Sequence, residues 1–166
     1  MKKRWISLFV ENEIGVLAKI SGLFSGKAYN LNSLTVGETE DPTVSRMTIS
    51  LTSDDLTFEQ IKKQLNRSVE VIKVVDYTDI PIHKKELMFI KAGNLSVEEC
   101  QEIFRIAEVF RVRIKDYGKS AVILECLQTE NRNSDLIRLL AECFGNRIEV
   151  VRGGSVAIEA VSMSER

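Results

Sequence analysis

Apolar residues in this 166-residue chain change period in a fixed order, and the order runs twice. Alternation at every second residue marks strands, and recurrence at three and four marks helices. Trp5 to Val10 is a short apolar run rich in strand formers. Asn12 and Gly15 break it. Val16, Leu17, Ile20, Leu23 and Phe24 then share one face of a helix expected to run to about Lys27. Leu31, Leu34 and Val36 open a second strand, and Glu40-Asp41-Pro42 turns it. Met47, Ile49 and Leu51 alternate with Thr48 and Ser50 on the return. Ser53-Asp54-Asp55 offers N-cap oxygens to a helix carrying Phe58, Ile61 and Leu65 inward, and Val69 to Val75 supply a fourth strand. Strand, helix, strand, strand, helix, strand predicts a ferredoxin-like α+β unit. Its two helices cover one face of an antiparallel sheet and leave the other face open.

Asp79-Ile80-Pro81-Ile82 is the one segment that reads as a linker, because Pro81 lacks a ladder donor and restricts its neighbour. The second round follows. Glu86 to Lys91 reads as a strand. Ser96 with Glu99 has capping-box spacing before a helix with Cys100, Ile103, Phe104, Ala107 and Phe110 inward. Val112 and Ile114 begin a strand, Asp116 to Lys119 turns it, and Ala121 to Leu124 returns. Asn133, Ser134 or Asp135 opens a helix with Leu136, Leu140, Cys143 and Phe144 inward. Ile148, Val150 and Val151 form a strand, and Gly153-Gly154 separates it from an extra strand at Val156, Ile158 and Val161. The expected domains are 1–79 and 85–166, with 80–84 linking them.

A net charge of −1 gives no concentrated basic face for phosphate contacts, which argues against nucleic acid as a partner. No apolar run approaches a membrane span, and Trp5 to Val10 is too short for a secretory core with Glu11 following. Cys100, Cys126 and Cys143 have no close pair, so buried reduced thiols and a cytoplasmic location are expected, with neither metal nor disulfide.

Catalysis finds little support. His83 is the only histidine and sits beside Lys84 and Lys85 after the linker, where it reads as an exposed residue. No nucleophile can be paired with it, and Gly22 and Gly26 do not follow a strand in phosphate-loop spacing. The Asn12 to Gly15 turn is different. A strand that turns sharply into a helix exposes amide donors that favour a carboxylate, and Gly15 lets a ligand approach them. Asn12 and Asn30 offer side-chain oxygens to an ammonium group. On physics alone the plainer account is favoured: Asn12 caps a helix, Gly15 eases a turn and Asn30 ends a helix. Arg46 reads as an exposed strand residue.

The letters are more specific. Val10-Glu11-Asn12-Glu13-Ile14-Gly15-Val16-Leu17, Gly22-Leu23-Phe24-Ser25, Tyr29 to Val36 and Thr39 to Thr48 resemble the ACT domain, a ligand-sensing ferredoxin-like module. They are closer still to the regulatory small subunits of acetolactate synthase. Lys85-Glu86-Leu87, Ile103-Phe104, Phe110-Arg111 and Glu149-Val150 with Gly153 are similar to that family's carboxy-terminal domain. The resemblance implies a non-catalytic subunit that activates a catalytic large subunit and confers feedback inhibition in branched-chain amino-acid synthesis. Thiamine diphosphate, magnesium and FAD belong to the large subunit, and no cofactor belongs to this chain. The amino acid, most commonly valine, sits between two ACT domains of a homodimer. Mapped by motif, Asn12 and Gly15 with the amides of Ile14, Val16 and Leu17 face Asn30 and Leu31 of the neighbouring chain. Two other classes stand beside this one. A free-standing amino-acid-binding module of another enzyme or a transcription factor would be favoured by a basic recognition helix, and a small enzyme by a catalytic set; the sequence carries neither.

Overall fold

The computed structural model describes residues 1–25 and 29–162. The expected end of the first helix at Lys27, and Gly26, lie outside the described residues. The chain divides into two compact units: Met1–His83 joined by the segment from Val156 on, and Lys84–Ser155.

In the first unit the order is β1 (Lys2–Glu11), α1 (Val16–Ser25), β2 (Leu31–Glu38), β3 (Val44–Ser53), α2 (Asp55–Leu65) and β4 (Val71–Asp76). The sheet order is β2-β3-β1-β4, and neighbouring strands are antiparallel. Period-two alternation puts Ile6, Leu8 and Val10 beside Met47, Ile49 and Leu51 on the helix side. Val16, Ile20 and Phe24 of α1 and Phe58, Ile61 and Leu65 of α2 close this core. Each such side chain contributes about 1.5–3 kcal/mol by leaving water. Asp54 caps α2, with its carboxylate accepting from the Thr57 amide at 2.8 Å.

The opposite face is less open than the sequence pattern suggests. Trp5, Tyr77 and Ala157 are buried together there, with Val75, Ile80 and Ile82 against them. The segment after Val156 supplies that cover. The Ala160 amide donates to the Pro81 carbonyl at 2.9 Å.

The second unit continues with β5 (Ile82–Ala92), α3 (Val97–Phe110), β6 (Arg113–Tyr117), β7 (Val122–Gln128), α4 (Glu130–Phe144), a 3-10 turn (Gly145–Arg147) and β8 (Ile148–Glu159). Its sheet order, β6-β7-β5-β8, repeats that of the first unit. Both units are therefore ferredoxin-like. Met88, Ile90, Ile103, Leu124, Leu136 and Leu140 centre the second core. The capping box at Ser96 is present, with both reciprocal bonds made.

Four local expectations change. β5 already begins at Ile82, so a strand takes in residues 82–84 of the expected 80–84 linker and leaves Asp79 to Pro81 outside it. Among the described residues no extra strand follows the Gly153-Gly154 pair, because β8 runs unbroken through both. The glycines mark a close approach: a Cβ at Gly153 would stand 3.2 Å from the Leu87 carbonyl oxygen, and Gly154 takes φ +79. α4 opens at Glu130, and Asn133 is fully buried within it. Cys143 is exposed, unlike Cys100 and Cys126. The buried stripe Asn133, Leu136, Leu140, Phe144 follows the three-and-four spacing, and Cys143 lies one position off it.

Candidate functional site

β1 ends at Glu11, and Ile14-Gly15 makes the turn into α1. Gly15 takes φ +89, a conformation that L side chains resist. No atom stands within 4 Å of the place a Cβ would occupy there. Gly15 therefore serves backbone geometry and leaves the space above the turn empty. Ile14 beside it is fully exposed, and Leu17 is 45% exposed.

Asn12 does not cap α1. Its backbone amide donates to the Thr43 carbonyl at 2.8 Å, and its Nδ2 donates to the Pro42 carbonyl at 2.9 Å. Its Oδ1 accepts from Ser45 Oγ at 2.9 Å. The side chain thus ties the turn to the β2–β3 hairpin, while Oδ1 keeps a second lone pair. The Val16 amide turns back on the Glu13 carbonyl at 3.3 Å, a long bond. Two carboxylates, Glu11 and Glu13, lie near this helix start, close enough to act on Lys19. Lys19, one turn into α1, pairs with Glu70, and that hydrogen bond is the main cause pulling the Glu70 carboxyl down to about 2. The Glu70 pairing raises Lys19 in turn, and the fields of Glu11 and Glu13 add to it.

Asn30 and Leu31 lie elsewhere. Leu31 pairs with Leu51, and Leu51 pairs with Arg4, whereas Asn12 follows Glu11 at the other end of β1. The seven residue steps from Arg4 to Glu11, at about 3.4 Å each, span about 24 Å. The two pieces of the motif thus sit at opposite ends of one sheet. A groove of about 460 Å³ lies beside Asn30, lined by Tyr29, Asn32, Thr52, Ser53 and Thr57 among others. Ser53 Oγ is buried there without a hydrogen-bond partner.

Three contacts were hidden in the sequence. Arg46 is half-buried rather than exposed: Nε donates to Ser7 Oγ at 2.9 Å, and its other nitrogen donates to the Tyr77 hydroxyl at 2.6 Å. Its guanidinium lies 5.0 Å from the Phe9 ring. The Asn12–Ser45 bond crosses 33 positions, so no local pattern reports it. Glu86, also buried, is held by Arg152 and Asn133. His83 is exposed on β5. Among the described residues no group of His, Cys, Asp and Glu is placed to hold a metal, and no helix is long and apolar enough to cross a membrane.

Comparison with known proteins finds a family match for each unit. The family model described as the AHAS small subunit-like ACT domain matches residues 6–73. That for the small subunit of acetolactate synthase matches residues 85–161. The acetolactate synthase small subunit of Aquifex aeolicus is 40% identical over 158 residues, which is 95% of this chain and 81% of that one. The one from Haemophilus influenzae is 36% identical over 94% of each. The crystal structure of the small subunit from Thermotoga maritima superposes with a TM-score of 0.85 at 34% identity, covering 96% of this chain and 98% of that one. With an ACT domain first and the family's carboxy-terminal domain second, this chain belongs to the acetolactate synthase small subunits.

Proposed function

We propose that this chain is the non-catalytic regulatory subunit of acetolactate synthase, and that it senses a branched-chain amino acid, valine foremost, at a contact between two ACT domains. It raises the activity of the catalytic large subunit, and the bound amino acid reduces that effect. Thiamine diphosphate, a divalent metal and FAD stay on the large subunit.

The observation that carries this reading is the separation of the two motif pieces. Asn30 and Asn12 lie about 24 Å apart along the sheet, too far to share one small ligand within a chain. β2 is an edge strand and runs from beside Asn30 toward the Asn12 end, where Glu38 pairs with Ser45. Two copies joined antiparallel along β2 bring each Asn30 toward its partner's Asn12 turn. This pairing also removes an exposed edge and makes two equivalent sites. In that site the amides of Ile14, Val16 and Leu17 face the ligand carboxylate, with Gly15 giving room. Asn12 Oδ1 and the neighbour's Asn30 take the ammonium group, beside the neighbour's Leu31. The ligand shifts activity only through its preference for one arrangement of the contact.

Calorimetric titration with valine, leucine and isoleucine tests the sensing half. Gly15→Asp puts a carboxylate where the ligand carboxylate sits and abolishes the heat; a Gly15→Asp protein that binds as the parent does removes the site. Adding the chain to its large subunit tests the other half, and an unchanged turnover number rejects it.

A further inference from the structure

The cover made by Trp5, Tyr77 and Ala157 leaves part of the first unit's helix-free sheet face in reach of solvent. One cross-strand row there consists of Gly37, Arg46, Phe9 and Lys73. Arg46 pairs with both Gly37 and Phe9, and Phe9 pairs with Lys73. Both cations lie against the ring. The Arg46 guanidinium is 5.0 Å and the Lys73 ammonium 5.9 Å from the Phe9 centroid. At exposed Gly37 nothing stands within 4 Å of where a Cβ would be, so no side chain screens Arg46 on the β2 side. Among the described residues neither cation meets a carboxylate. Arg46 donates only to the hydroxyls of Ser7 and Tyr77, and Lys73 stands exposed. Arg4, Lys19 and Lys62 of the same unit are each paired with an Asp or Glu.

A half-buried guanidinium without a counter-charge is costly to keep, and a partner's carboxylate can supply one. We propose that this row docks a carboxylate-bearing surface of the catalytic large subunit, with Arg46 and Lys73 as the charged contacts and Phe9 as the apolar floor between them. Charge chooses the occupant. A second copy set two-fold on this row would bring cation against cation. Nucleic acid needs a wide basic face, and here Glu11 and Glu38 follow the row closely on β1 and β2. The row also adjoins the amino-acid turn. Arg46 follows Ser45, whose hydroxyl donates to Asn12 Oδ1 at 2.9 Å. Successive strand residues point to opposite faces, so the strut to Asn12 and the docking cation are neighbours in β3 on its two sides. An amino acid bound at the Asn12 turn acts one residue away from the docked partner. In this the inference rests on the proposed regulatory reading and gives it a surface.

Activation of the large subunit by the full chain, titrated over a concentration series, tests it. Lys73→Glu changes an exposed side chain, and Arg46→Gln removes the other charge. Each is expected to raise the half-activating concentration at least about tenfold and to flatten its dependence on salt. Lys63→Glu, an equal charge change at an exposed position of α2, is expected to activate as the parent does. The proposal is overturned if Lys73→Glu activates at the parent's concentration, or if Lys63→Glu loses as much as Lys73→Glu. A parent that changes turnover at no concentration overturns the regulatory reading and this surface with it, whereas a parent matched by Lys73→Glu overturns the surface alone. Should Arg46→Gln fail to fold, Lys73→Glu carries the test by itself. Retention of a single-stranded RNA that Lys73→Glu abolishes, with activation unaltered, overturns the proposal in favour of nucleic acid.

Discussion

Replacing Arg152 by Met isolates a buried charge whose consequences can be worked from the structure. The Glu86 side chain is 3% exposed. It accepts from Arg152 Nε at 2.9 Å, from a terminal Arg152 nitrogen at 2.7 Å and from Asn133 Nδ2 at 2.9 Å. Arg152→Met keeps an apolar stem of similar length and removes both charge-assisted bonds. The carboxylate is then buried without its counter-charge, which costs about 3–5 kcal/mol when no water reaches it. The Arg152 side chain is 33% exposed, so water reaches one side of the gap and the low end, about 3 kcal/mol, is expected. The loss should appear in urea unfolding followed by circular dichroism and in the exchange of β5 and α4 amides. It also has a sign in pH. Losing the Arg152 charge makes the ionised form of this buried carboxyl less favourable than in the parent, so the penalty is full at neutral pH and fades on acidification. The double variant Glu86→Gln with Arg152→Met removes the charge altogether and should recover most of the loss. A single variant within about 0.5 kcal/mol of the parent at pH 7, or a double variant no better than the single, refutes the reasoning.

Three further outcomes follow from local contacts. Ser96→Ala removes one half of a capping box and should lower stability by about 1 kcal/mol, seen as earlier exchange of the first-turn amides of α3. Glu99 and Glu70 are held at about 2, the first mainly by its bonds to Arg147 and the second mainly by that to Lys19, against an ordinary value of 4.5. Their stabilisation is complete above pH 4.5 and is lost as pH falls through 2; a Glu99→Gln, Glu70→Gln variant should flatten that part of the acid denaturation curve. Asn12→Ala cuts the side-chain bonds to Pro42 and Ser45 and should cost about 1 kcal/mol, measured as a lower melting temperature. It should weaken valine binding by more than that stability loss explains, and equal affinity would remove Asn12 from the site.

Legibility in the sequence followed the range of the interaction. The repeated strand and helix order, both hairpins and the Ser96 box are set by neighbours a few positions away, and each was readable. Asn133 was not. Asn, Ser and Asp in a row look like a helix start because their short side chains bond nearby amides. Here the need of Glu86, 47 positions earlier, overrides that preference and draws Asn133 into the helix interior. Gly153-Gly154 looked like a break for a similar reason. What the pair answers to is the Leu87 carbonyl on the adjacent strand, which leaves no room for a Cβ. Cys143 failed by a single position on a helical wheel.

The candidate site divides along the same line. The sharp turn at Gly15 is local, and its positive φ is what a lone glycine between a strand and a helix suggests. The partners of Asn12 are contributed by the β2–β3 hairpin, so the sequence favoured a helix cap and the structure replaces it with a strut. The distance between Asn12 and Asn30 needs the strand register, which fixes them at opposite ends of the sheet. A βαβ crossover of this kind always returns the chain to the end it started from. The start of β2 must therefore lie one strand length from the turn that ends β1, and no rotamer change can bring the two together. A ligand that needs both can be held only by two copies, so its affinity must depend on protein concentration wherever the copies dissociate. Valine affinity measured across a dilution series should weaken once dimers come apart. Affinity that stays constant down to the monomer would place the whole site within one chain, against the register of its own sheet.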